Sequence, residues 1–128
     1  MFAKINYNYE TNSINYENVL EVDSTDNSSL FINNDGKGKT IGVIAYWSIT
    51  NGDPLVLSVA SHDEYIELCK SEMKKDLEEE YECAKLDGLL DNYIPSTYGH
   101  SKNDKGVLNF KQNGAQECWQ IEYHLITI

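Results

Sequence analysis

Apolar residues alternate with polar ones through the first part of the chain and switch to a three-and-four spacing at Ser61. That change separates half-buried strands from an amphipathic helix. Phe2, Ile5, Tyr7 and Tyr9 open the alternating stretch, Thr11-Asn12-Ser13 offers a turn, and Ile14, Tyr16, Val19, Leu20 and Val22 predict a return strand. A polar segment over residues 23–29 leads to the short run Leu30-Phe31-Ile32. Residues 33–39 are dense in types that accept positive φ and predict a loop. The strongest strand signal is residues 40–50, through Ile41, Val43, Ile44, Tyr46, Trp47 and Ile49, with residues 54–60 as its partner about an Asn51-Gly52 turn. Both arms are almost continuously apolar, so both are expected at the centre of a sheet covered on its two faces.

Ser61 and Glu64 have the spacing of a capping box, in which the hydroxyl accepts from the Glu64 amide and the carboxylate reaches back. Ile66, Cys69, Met73, Leu77, Tyr81 and Ala84 then form one apolar stripe, expected to lie on the sheet. Leu86, Leu89, Leu90 and Tyr93 fall out of phase with it, which predicts a break within residues 85–88 and a short second helix ending before Pro95. Residues 96–106 are polar and read as a loop, and residues 107–110 and 118–126 close the pattern as two strands around Asn113-Gly114. The expected fold is a single α+β domain: a mainly antiparallel sheet of five to seven strands against one long acidic helix and a short second helix. At 128 residues, with no internal repeat or linker, the chain suits one core.

Charge narrows the function. Against 21 Asp and Glu stand 10 basic residues, all Lys, for a net −11. Such a field repels nucleic acid and anionic lipid and attracts basic surfaces. Met1-Phe2-Ala3-Lys4-Ile5-Asn6-Tyr7 lacks the apolar core of a secretory signal, and no run reaches the ~18 apolar residues a membrane span needs, so a cytoplasmic protein is expected. Cys69, Cys83 and Cys118 are an odd set without a CxxC pair and are expected to be reduced and dispensable.

Catalytic and ligand motifs fail on their structural demands. Gly38-Lys39-Thr40 resembles the end of a phosphate loop, but Asn33 stands where that motif needs glycine, and a strand follows in place of a helix. Asn33 and Asp35-Gly36 have a calcium-loop flavour, yet Phe31 and Gly42 occupy two ligand positions. Ser61-His62-Asp63 contains the types of a hydrolase triad, but adjacent helical residues point ~100° apart. His124 and Tyr123 are expected on opposite faces of one strand. No cofactor and no metal site is expected.

What remains is the acidic helix, where Asp63, Glu64, Glu67, Glu72, Asp76, Glu78, Glu79, Glu80 and Glu82 face only Lys70, Lys74 and Lys75 before Ala84. Glu80 falls inside the apolar arc, where an unpaired carboxylate is costly, and is expected at the edge of the core. Tyr93 and Tyr98, flanking the polar segment, are expected to be exposed. Glu72, Asp76, Glu78, Glu79, Glu82, Tyr93 and Tyr98 are the candidate partner-binding residues. The expected function is non-catalytic: an acidic inhibitor that neutralises a basic protein. Proteins of this type include immunity proteins against nuclease toxins and nucleic-acid-mimicking phage inhibitors of defence enzymes. The alternatives are a small enzyme or ligand-binding domain with an aromatic pocket near Tyr46, Trp47 and Trp119, and a structural subunit whose terminal strand is free to pair.

Overall fold

The first alternating stretch folds as a hairpin because a turn residue that accepts positive φ interrupts it: Asn12 sits at φ 50°, a conformation Asn tolerates better than most side chains. Strand β1, Phe2–Asn8, runs antiparallel to β2, Ser13–Val19, with Asn8 opposite Ser13 at the closed end. Strand β3, Leu30–Asn33, pairs antiparallel on the other side of β1, giving a sheet of order β2-β1-β3. The computed structural model describes residues 1–48, 55–113 and 119–128.

Five further strands make the second sheet: β4 Thr40–Ser48, β5 Val56–Val59, β6 Thr97–Lys102, β7 Leu108–Asn113 and β8 Trp119–Thr127. Their order is β5-β4-β8-β7-β6 and every neighbouring pair is antiparallel. Helix α1, His62–Leu86, covers one face. The cluster beneath it joins Ile44, Trp119, Ile121 and Tyr123 to Ala60, Tyr65 and Cys69. The three-stranded sheet covers the opposite face: Tyr7 of β1 meets Trp47 of β4 with ring centroids 5.7 Å apart, and Ala3, Ile5, Val43 and Ala45 are completely buried. The period of two in β4 and β8 thus serves two cores, one on each face.

The capping box is formed, with Glu64 N to Ser61 Oγ and Ser61 N to Glu64 Oε1 both at 3.1 Å. The helix stops where predicted. Gly88 adopts φ 68°, and its amide and that of Leu89 reach the carbonyls of Lys85 and Ala84 at 3.2 and 2.8 Å, the paired bonds of a Schellman end.

The α+β class, the antiparallel pairing and the single long helix agree with the sequence pattern, and four details differ. The strands form two sheets, of three and five, because both faces of β4 are apolar enough to be covered, Ile44 on one and Val43 and Ala45 on the other. The short second helix reduces to one 3-10 turn, Leu90–Asn92, since Pro95 leaves no room to propagate a helix. Strand β6 occupies most of the expected polar loop; Tyr98 anchors it by stacking on Phe110 and Trp119 at 5.8 and 5.7 Å. Strand β5, expected at the centre, is an edge strand with Val56 and Val59 exposed. The arms of the β4–β5 hairpin pair as expected, from Val43 opposite Val59 to Tyr46 opposite Val56; the Asn51-Gly52 turn and Gly114 lie outside the described residues. The β8 strand lies between β4 and β7, so it offers no free edge.

Candidate functional site

The acidic helix is rolled on the sheet by about a quarter-turn from the orientation its apolar stripe predicts. Tyr65 and Cys69 are buried at the N-terminal end. Tyr65 stacks on Tyr123 at 5.2 Å and donates to the Ile121 carbonyl at 3.3 Å. Further along, the positions in line with them are Glu72, Asp76 and Glu80, each half-buried. They are kept there by donors from the sheet and from the segment after the helix.

Tyr46 OH donates to Glu72 Oε2 at 3.3 Å. Tyr98 OH donates to Asp76 Oδ2, and Gln112 Nε2 donates to the same oxygen at 2.9 Å. Glu80 accepts from the Ser96 hydroxyl, from the Ser96 amide at 3.3 Å, from Tyr93 OH at 3.4 Å and from Gln112 Nε2 at 3.3 Å. Glu80 therefore meets hydroxyls and amides at the core edge. Burial, reinforced by Asp76, pushes the Tyr98 phenol above its ordinary pKa, and burial with Glu80 does the same for Tyr93. Both phenols stay protonated and remain donors at neutral pH. Gln112 Oε1 finds no partner among the described residues, a cost that the charge-assisted bonds of its Nε2 offset.

The candidate residues thus fall into two groups. Glu72, Asp76, Tyr93 and Tyr98 bond to one another or to neighbours within the chain, and the two tyrosines are half-buried where exposure was expected. Their rings explain the difference: Tyr98 lies in the Phe110 and Trp119 stack, and Tyr93 packs edge-on against Tyr81 at 6.3 Å. Glu78, Glu79 and Glu82 are exposed and have no ion-pair partner among the described residues; the salt bridge along α1 there is Lys70 to Glu67, at 3.8 Å.

The aromatic pocket does not assemble around its three residues. Trp119 is buried under the helix and Trp47 faces the other sheet, because residues one apart in register point to opposite sides of β4 and β8. Tyr46 lines a shallow cleft of about 240 Å³ with Ile44, Val56, Ser58, Leu68 and Glu72.

No protein-family model, curated protein or solved structure matches the chain. No helix among the described residues is long and apolar enough to cross a membrane, and none of their His, Cys, Asp and Glu side chains group as three or more around a point that could hold a metal ion.

A second polar cluster went unread in the sequence. Between the two sheets, Tyr7 OH donates to Glu122 Oε1 at 2.9 Å, and His124 Nε2 lies 2.9 Å from the same oxygen. Glu122 and His124 are buried. Since a carboxylate can only accept, Nε2 carries the proton of that bond. Burial, with Glu122 beside it, raises the Tyr7 phenol well above its ordinary pKa. The signal was present: Glu122 and His124 alternate with Ile121 and Tyr123 in a strand too apolar to be exposed, which marks a covered but polar second face. His62 and His100 sit against aromatic rings on the helix side, at 5.9 Å from Tyr123 and 5.5 Å from Phe110.

Proposed function

We propose that the protein is an acidic inhibitor that docks on a basic protein and occupies a surface built for nucleic acid, as an immunity protein does for a nuclease toxin or a phage-encoded mimic does for a defence enzyme. The observation that carries this reading is the outer row of α1, where Glu78, Glu79 and Glu82 are exposed without cationic partners among the described residues. Glu78 and Glu82 stand four apart on the helix and Glu79 and Glu82 three apart, like charges that repel, so their clustering costs local stability and calls for a use outside the fold. Side chains on successive turns lie ~6 Å apart, similar to phosphate spacing along a strand, and Lys or Arg that normally hold a backbone could pair with them. The donor-bound Glu72, Asp76 and Glu80 hold the helix on the sheet and leave the outer row to the partner. The mechanism is steric and electrostatic, without catalysis or cofactor.

The test is capture from lysates of the source cell and its competitors at low salt, followed by binding kinetics. Reversing Glu78, Glu79 and Glu82 to Lys should slow association at least tenfold at low salt, with unfolding nearly unchanged. Wild-type association should also fall steeply as salt rises. A captured partner whose association ignores both salt and the triple reversal would show that the acidic row is only a solvated face.

A further inference from the structure

The roll that turns Glu72, Asp76 and Glu80 toward the sheet carries the apolar stripe of α1 out to its flank. Met73 and Leu77 are half-buried and Tyr81 is 47% exposed. Met73, Lys74, Leu77, Glu78, Tyr81 and Glu82 line an open groove of about 610 Å³. Beyond it, Leu86 is 83% and Ile94 is 87% exposed. Apolar surface left in this state on an otherwise highly charged molecule marks a contact site more often than a neutral one.

We infer that this groove receives an amphipathic helix of the partner, with a narrow apolar stripe bordered by Lys and Arg. The inference rests on the proposed inhibitor reading and specifies which part of the basic partner is seized. Met73, Leu77 and Tyr81 form one ridge at four-residue spacing, and Lys74, Glu78 and Glu82 form the next. The furrow between two such ridges is what the ridge of a second helix fills. It runs for a little over two turns, ~12 Å, matching an apolar stripe of three residues at i, i+4 and i+8. The charge on the border selects the occupant: Glu78 and Glu82 edge the groove, Glu79 stands beside them, and the whole molecule carries −11. Cations flanking the incoming stripe meet carboxylates at the moment its apolar face is buried. A second copy of this chain is the poorer occupant. It would bring Lys74 toward Glu82 but set Glu78 against itself and join two bodies of −11, so salt would strengthen it, whereas salt weakens the basic helix.

Three synthetic peptides of roughly 18 residues, long enough to hold a helix, are titrated against the full chain by fluorescence anisotropy. One has leucines at i, i+4 and i+8 bordered by lysines. The second keeps that composition with the leucines scattered, and the third replaces the lysines with glutamates. The first should bind at least tenfold more tightly than the other two. Tyr81→Ala and Leu77→Ser should each weaken it about tenfold while leaving the scattered peptide unaffected. The Tyr81 ring is half-exposed, so Tyr81→Ala keeps the fold, and a melt of each variant checks this. Equal binding of the first two peptides, or indifference to both substitutions, overturns the groove. If both lysine peptides still depend on Glu78, Glu79 and Glu82 in that case, the acidic-face reading survives without it. If neither lysine peptide binds, both readings fail together. Sedimentation at low and high salt gives the last arm: a dimer that strengthens with salt and is lost in Tyr81→Ala assigns the groove to a second copy and overturns the inference.

Discussion

Placing a methyl group on Gly42 should destabilise the fold by about 2–4 kcal/mol. A Cβ built there would lie 2.0 Å from the Tyr123 hydroxyl oxygen, 2.6 Å from its ring carbon Cζ and 2.3 Å from the Ala60 carbonyl oxygen. Those atoms are tied together: Tyr123 OH donates to Ala60 O at 3.2 Å, and the Ala60 amide donates to Gly42 O at 3.0 Å. Gly42→Ala must break the phenol bond, worth about 1 kcal/mol, and push apart β4 and the backbone leading into the helix cap, worth about 1–3 kcal/mol by analogy with overpacked cores. For a chain of 128 residues, 1 kcal/mol moves Tm by about 4 °C, so the loss should be about 8–16 °C, read by circular dichroism melts and checked by urea titration. The companion variant Tyr123→Phe should cost about 1 kcal/mol in the wild type and almost nothing in Gly42→Ala, because the same bond cannot be lost twice. The double variant should stay well below the wild type, since the Ala60 carbonyl is still in the way. A neutral Gly42→Ala, or costs that simply add, would refute the reasoning.

Removing the Tyr7 hydroxyl as Tyr7→Phe leaves buried Glu122 with His124 as its side-chain partner among the described residues, and should cost about 1.5–3 kcal/mol in urea unfolding, the range for a bond to a charged group. The Asp26 carboxyl, held at about 2 by the hydroxyl and amide of Ser28, by Ser29 and by Lys4, should titrate there by NMR. Because its folded pKa lies below its unfolded one, the stability it contributes is present above the ordinary carboxylate range and is lost as pH falls toward 2, and Asp26→Asn should flatten that acid limb. Between the two cysteines described, iodoacetamide at pH 8 should modify exposed Cys83 and spare buried Cys69, whose thiol burial pushes up to about 11; peptide mass mapping reads the order.

Local chemistry was legible in the sequence, and pairing across distance was not. The start of α1 is written in two residues, Ser61 and Glu64, and its end in Gly88, because caps are made by neighbours in the chain. The β1–β2 pair follows from alternation either side of Thr11-Asn12-Ser13, and the β4–β5 pair from two runs rich in β-branched and aromatic residues. Strand β6 was not legible because its register is set by β7 and its burial by Trp119, more than 20 residues away. The phase of the helix was missed for a similar reason. A wheel counts Leu77 and Tyr81 as inward, but it cannot know that Tyr46, Tyr98 and Gln112 offer donors that make Glu72 and Asp76 the better inward residues. Within the candidate site, the exposure of Glu78, Glu79 and Glu82 follows from the wheel alone, while the engagement of Tyr93 and Tyr98 needed the stack and the carboxylates that the fold brings to them.

The position of β8 bears on how the chain reaches this structure. Hairpins β4–β5 and β6–β7 each join strands close in sequence and can form as soon as they are made. They meet only through β8, which is synthesised after both and slots between them. During translation the molecule therefore passes through a stage with two unjoined hairpins and an unsupported helix, their apolar faces open. Closing the sheet demands long loops and should be the slow step of folding. A chain cut short before residue 119 would lack the strand that joins the two hairpins and should be left at that sticky stage.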